Sequence, residues 1–164
     1  MALPNKVLPG FSAALYCQPT STPTPLTTSQ LSLVASVSPI AVSGNLLPVE
    51  AIPAFGQDDA VANFAVAGSR QSDKIPTQSA PTSMTITAAW NPSDTNLLLM
   101  RADAYSGVID RTFVISATDG TNIVYYAFNG RVSQFQIDSA PGAEAKCTFT
   151  VHPRGNQYGW SNNA

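Results

Sequence analysis

Between residues 83 and 152 the sequence alternates apolar and polar side chains in short runs separated by turn signals. Antiparallel β-structure is the arrangement that satisfies such a pattern. Residues 83–90 put Met84, Ile86, Ala88 and Trp90 on one face, and residues 146–152 do the same with Cys147, Phe149 and Val151. Residues 111–117 and 123–128 flank Thr118-Asp119-Gly120-Thr121-Asn122, which reads as a hairpin turn. Asn129-Gly130 reads as a second tight turn, leading into a strand over residues 131–138. One helix interrupts the strands. Asn91-Pro92-Ser93-Asp94 predicts a helix over residues 91–106, with Asn91 as N-cap, Pro92 in the first helical position and Gly107 as C-terminal cap. Leu97, Met100 and Ala104 form its apolar stripe, Leu98 and Tyr105 widen it, and Arg101 inside that arc has to reach an edge with its stem.

The first half is more broken. Residues 1–10 are expected to be an N-terminal arm, 11–17 a first strand and 18–30 a loop that Pro19, Pro23 and Pro25 keep out of regular pairing. Leu31, Leu33, Ala35 and Val37 alternate and predict a strand over 31–37. Pro39, Gly44, Pro48 and Pro53 punctuate residues 38–60, and 61–66 reads as a strand. Residues 68–82 are polar and without periodicity, which predicts a long loop joining 61–66 to 83–90 as a long hairpin. Residues 154–164 read as a C-terminal arm whose Trp160 docks on its own core or on a neighbour. The expected fold is one mostly-β domain over 1–164. It has about eight strands in two packed antiparallel sheets, a β-sandwich or split barrel, with one flanking α-helix, a long hairpin loop and two terminal arms.

Composition then limits what such a domain does. At 164 residues the chain buries a core without staples. Hydrophobic residues make up 44%, but charged residues only 11%, against about 25% in a typical soluble domain. A surface so poor in charge is expected to be covered in part by partners. The net charge is −2 and the cations Lys6, Arg70, Lys74, Arg101, Arg111, Arg131, Lys146 and Arg154 are scattered singly, so no tract is present that would hold nucleic acid tightly. Cys17 and Cys147 are expected to be reduced, buried thiols. No apolar run reaches membrane-spanning length and residues 7–16 make a poor signal peptide, so a mature cytoplasmic chain starting at Met1 is expected.

Residue types that carry chemistry are sparse. His152 is the one histidine, on the outward face of the last long strand and away from any nucleophile motif. Asp58-Asp59 could hold a cation, but adjacent loop carboxylates more often sit in water. No catalytic, cofactor or metal residues are assigned, and the chain reads as a non-enzyme. Its low charge, sheet edges, mobile hairpin and arms favour assembly with copies of itself. The competing reading is a β-sandwich binding module, an adhesin or carbohydrate-binding domain, with Tyr125, Tyr126, Tyr158 and Trp160 as its aromatic platform. The adjacent Tyr125 and Tyr126 point to opposite faces of a strand and weaken that platform.

Several segments occur in a familiar order: Ile52-Pro53-Ala54-Phe55-Gly56-Gln57-Asp58-Asp59, Gly68-Ser69-Arg70-Gln71-Ser72-Asp73-Lys74-Ile75-Pro76, Trp90-Asn91-Pro92-Ser93-Asp94, Arg101-Ala102-Asp103-Ala104-Tyr105-Ser106-Gly107, Arg111-Thr112-Phe113-Val114-Ile115 and Phe128-Asn129-Gly130-Arg131-Val132-Ser133-Gln134-Phe135. Over residues 46–138 this order and spacing resembles the tail tube proteins (major tail proteins) of tailed bacteriophages. The resemblance implies two β-sheets with a flanking helix. It implies homo-hexameric rings, stacked into a virion tube that is built in the host cytoplasm and passes genomic DNA without binding it tightly. It also implies a tape measure protein, baseplate or distal tail proteins, a tail terminator and, in contractile tails, a sheath as partners. A conduit that must release DNA should line its lumen with Ser, Thr, Gln and Asp, for which residues 131–138 and 146–152 are candidates. Arg70, Gln71, Ser72, Asp73 and Lys74 at the hairpin tip, and Trp160, are the expected contacts between rings or subunits.

Overall fold

The computed structural model describes residues 12–65, 67, 72–118, 122–154 and 159–163, with the side chains of 72, 73 and 160–163 left out. The arm expected over 1–10, the Asp119-Gly120 turn, Arg70, Gln71 and Tyr158 lie outside the described residues. In chain order the elements are β1 (Ser12–Cys17), α1 (Thr28–Leu31), α2 (Val34–Val37), β2 (Gln57–Ala65), β3 (Ser72–Pro81), β4 (Met84–Ala89), α3 (Thr95–Ser106), β5 (Arg111–Thr118), β6 (Ile123–Asp138), β7 (Lys146–Pro153) and β8 (Gly159–Asn163). The chain is mostly strand, in two antiparallel sheets.

The larger sheet runs β1-β5-β6-β7-β4, with β8 also on β6, and it curls as a half-barrel. Its alternating strands turn one face inward, where Leu15, Met84, Ile86, Ala88, Phe113, Ile115, Phe128, Cys147, Phe149 and Val151 form the main core. The buried apolar residues of α3, Leu97 and Met100, pack into this core. On the other face, Val114, Tyr125 and Ala127 pack against Leu31, Val37 and Ile40 in a second core. Because β5 is covered on both faces, its residues 111–115 are all buried, the polar Arg111 and Thr112 as well as the apolar Phe113, Val114 and Ile115. A short strap, residues 46–50, ties the two edges of the half-barrel. Leu46 bridges Tyr16 of β1, and Val49 bridges Ala88 of β4.

Several expectations change against this architecture. Residues 31–37 are not a strand: α1 ends at Leu31 and α2 spans Val34–Val37, and of the alternating set Leu31 and Val37 are buried while Leu33 and Ala35 are exposed. α3 starts at Thr95 rather than 91. Asp94 is its N-cap, its carboxylate accepting from the N–H of Asn96 at 2.9 Å and of Leu97 at 3.3 Å. Asn91 instead caps a turn, accepting from the N–H of Ser93 at 2.9 Å. Gly107 ends α3 with φ 67° as expected. The stripe of α3 is narrower than expected, since Leu98 and Tyr105 are exposed.

Asn129-Gly130 is not a turn: β6 runs through it without a break. Gly130 is there for close approach, because a Cβ would stand 3.1 Å from the His152 carbonyl oxygen and 3.1 Å from Val151 Cγ1. Asn129 is buried, and its Nδ2 donates to the Leu26 carbonyl at 2.7 Å. The expected C-terminal arm contains a strand, β8, which extends the edge of β6 beyond β7. Cys17 and Cys147 are buried and unbonded, as expected.

One buried ion pair locks α3 to the sheet. Arg111 Nε lies 2.6 Å from Asp103 Oδ2 and its Nη2 3.0 Å from Oδ1. Its Nη1 donates to the carbonyls of Gln18 and Thr20, the latter at 2.6 Å. The guanidinium therefore satisfies a helix, a strand and a proline-broken loop together. Among the described residues, no helix is long and apolar enough to cross a membrane.

Candidate assembly interface

Residues 72–81, expected as part of a loop, pair with β2 from Gln57↔Pro81 to Ala65↔Ser72 and form the second sheet, a two-stranded ribbon. The missed signal was the length of residues 57–65, where only the last five had read as strand. Pro76, which argues against a central strand, is tolerated because β3 has a partner on one side only. The polar reading of 68–82 overlooked Ile75 facing Ala62. β4 belongs to the larger sheet, paired with β7, so the hairpin partner of β2 is β3.

Every side chain of β2 is exposed. Val61 is 53%, Phe64 62% and Ile75 52% accessible. Ala62 stands opposite Ile75, and Phe64 opposite Asp73, so Phe64 and Ile75 share one face of the ribbon. A free two-stranded ribbon is marginally stable in water, and among the described residues no third strand pairs with either of its outer edges. The ribbon closes at its base, where the Thr82 N–H donates to the Gly56 carbonyl at 3.0 Å. Of the contact candidates, Ser72, Asp73 and Lys74 fall on β3, and Trp160 is in β8, paired in register with Tyr126. The structure therefore separates Trp160 from the hairpin strand by placing it in the larger sheet. Asp58 and Asp59 are successive on β2 and point to opposite faces. Among the described residues, no group of three or more His, Cys, Asp or Glu could hold a metal.

The outward face of β4, β7 and the end of β6 is a second distinctive surface. Register stacks Thr85 on Thr150 and Thr87 on Thr148. It continues from Thr150 to Ser133 and from Thr148 to Gln136. His152, exposed as expected, lies between Ser83 Oγ at 2.8 Å from Nδ1 and Ser133 Oγ at 2.7 Å from Nε2. The cations along this face are ion-paired. Arg131 Nε is 2.6 Å from Asp110 Oδ1, and Lys146 Nζ is 2.5 Å from Glu50 Oε1. Arg154 Nη1 joins Asp110 at 2.7 Å. Partial burial pushes the Asp110 carboxyl up, but hydrogen bonds and charge from Arg131 and Arg154 outweigh it and hold the group below the ordinary carboxylate range. A surface of hydroxyls and amides with neutralised cations has little grip on phosphates.

Of the four residues of the expected aromatic platform, Tyr158 and the side chain of Trp160 lie outside the described residues. Tyr125 is buried in the second core, and Tyr126 packs edge-on against Phe55 with ring centroids 5.0 Å apart.

No protein-family model matches this chain, and none of the curated proteins does. Solved structures do match in fold. A chain from the sheath/tube terminator of an extracellular contractile injection system (PVC, extended state) aligns over 99% of this chain and 100% of its own, with TM-score 0.63 and 13% identity. A chain of the anti-feeding prophage (AFP) baseplate aligns over 98% and 97%, with TM-score 0.58 and 10% identity. The SPP1 tail tube protein aligns over 90% and 76%, with TM-score 0.54 and 10% identity. The fold is thus that of tail-tube-like proteins.

Proposed function

We propose that this chain is a structural subunit of a phage-type tail that assembles with copies of itself into a tube. The observation that carries the reading is the β2–β3 ribbon, a two-stranded sheet with exposed apolar side chains that, among the described residues, gains no third strand on either edge. The likeness of fold to tube, terminator and baseplate chains supports it. In this reading the subunits form hexameric rings, which stack with each other and meet a terminator at one end and a baseplate at the other. The tube holds a tape measure protein and passes DNA in the virion. The Thr- and Ser-rich face of β4, β7 and β6 supports a lumenal role, because its cations are already paired and cannot hold passing phosphates. The chain does no catalysis in this role and takes no cofactor.

Negative-stain electron microscopy of the concentrated protein tests the proposal, with rings or hollow tubes expected. The matching variant excises residues 58–80 and joins the adjacent ends with a short Gly-Ser linker, which the hydrogen bond between Gly56 and Thr82 makes feasible. It should fold and remain monomeric. Tubes from the excised variant would refute the role of the ribbon.

A further inference from the structure

The ribbon needs a receiving surface, and the molecule contains one that matches it. A cleft of about 230 Å³ opens beside the C-terminal end of α3, lined among the described residues by Ala104, Tyr105, Gln134 and Phe135. Its floor is made by a bulge in β6, where the register slips between Ser133 and Gln136 and Gln134 adopts φ 56°. A non-glycine residue in that region is uncommon, and here it opens the sheet beside the helix. Tyr105 at the rim is 78% exposed, and the Arg101 guanidinium carbon lies 5.7 Å from the centre of its ring. Among the described residues, this aromatic, cationic rim is exposed.

We infer that the cleft is the socket for Phe64 of a second copy of this chain. This rests on the self-assembly reading above and names its contact. Three observations select that occupant. Phe64 is the most exposed large apolar side chain described on the ribbon. A benzene-sized ring fills a cavity of about 150 Å³, so a phenylalanine ring fits the cleft with space for its neighbours. The register places Asp73 directly opposite Phe64, so a ribbon seated by Phe64 would carry an acidic position toward the rim where Arg101 stands. Knob and socket are different patches of one chain. The contact is therefore heterologous and propagates from copy to copy, closing into a ring or running on as a stack.

Replacing Phe64 with p-benzoyl-phenylalanine and irradiating the full-length protein tests the contact. Intermolecular adducts mapped by mass spectrometry to residues 104–105 or 134–135 are expected. Intermolecular adducts confined to other residues would overturn the socket and leave self-assembly standing. Absence of any intermolecular adduct up to the solubility limit would overturn both. In sedimentation, Phe64→Ala should weaken association about thirty-fold, as loss of a buried aromatic anchor does. Arg101→Asp and Asp73→Arg should each weaken it, and the double variant should restore it. Phe64→Ala assembling like the wild type would also refute the socket.

Discussion

Removing the Asp103 carboxylate should be among the most damaging single changes in the molecule, although Asp103 touches no proposed partner surface. Arg111 is fully buried and Asp103 nearly so. Asp103→Ala deletes both charge-assisted hydrogen bonds on one side of the guanidinium. The carbonyls of Gln18 and Thr20 remain as partners, but they carry no formal charge to balance the buried cation. Breaking a buried pair from one side costs about 3–5 kcal/mol. In a chain of 164 residues, each kcal/mol lowers the melting temperature by about 2–4 °C, so a fall of roughly 6–20 °C is expected. Urea unfolding followed by circular dichroism measures it directly. Arg111→Ala and the double Asp103→Ala/Arg111→Ala complete a cycle, and the double should cost much less than the sum of the singles. A loss below about 1 kcal/mol for Asp103→Ala would refute the reasoning, since it would mean that water or movement of α3 neutralises the stranded charge.

Gly159→Ala should destabilise more than Gly130→Ala in thermal melts. The added Cβ would stand 2.2 Å from Leu31 backbone atoms in the first case and 3.1 Å from its nearest neighbours in the second, and the reverse order would count against the β8–α1 contact. Cys17 and Cys147 should resist a thiol reagent at pH 8 in the native state and react on unfolding. Burial pushes the Cys17 thiol up to about 12 despite the opposing pull of Arg111, and burial also raises Cys147; fast native labelling would contradict this. Asp110 contributes stability that is present above the unfolded carboxylate pKa of about 3.9 and is lost as pH falls through its lower folded value. Asp110→Asn should therefore flatten the acid limb of a stability–pH curve, and an unchanged limb would show that the Arg131 and Arg154 contacts contribute nothing.

Much of the architecture was legible without coordinates, and for local reasons. The alternation at Met84, Ile86 and Ala88 and at Cys147, Phe149 and Val151 is the inward face of the half-barrel, because a strand's period of two is a property of its own backbone. Gly107 ends α3 because its left-handed conformation excludes most other residues. The errors arose where a neighbour elsewhere in the chain made the decision. Residues 31–37 offer both a strand-like set, Leu31, Leu33, Ala35 and Val37, and a helix-like set, Leu31, Val34 and Val37, and packing against Val114, Tyr125 and Ala127 selects the second. Asn129-Gly130 has the composition of a turn, but Thr112 Oγ1 donates to Asn129 Oδ1 at 2.7 Å and β7 presses on Gly130, so the pair stays extended.

The site divides in the same way. The sequence by itself determined that the chain would be poor in charge and that catalytic groups would be scarce, because these follow from composition. Only the tertiary structure decided that β2 and β3 leave the larger sheet as a ribbon, that the cations Arg131 and Lys146 are neutralised, and that a β6 bulge opens a cleft beside Tyr105. Each of these depends on pairing between residues far apart in the chain, and, proline aside, every residue of a strand offers the same backbone donor and acceptor. Which partner a strand takes is settled only when the whole sheet has closed.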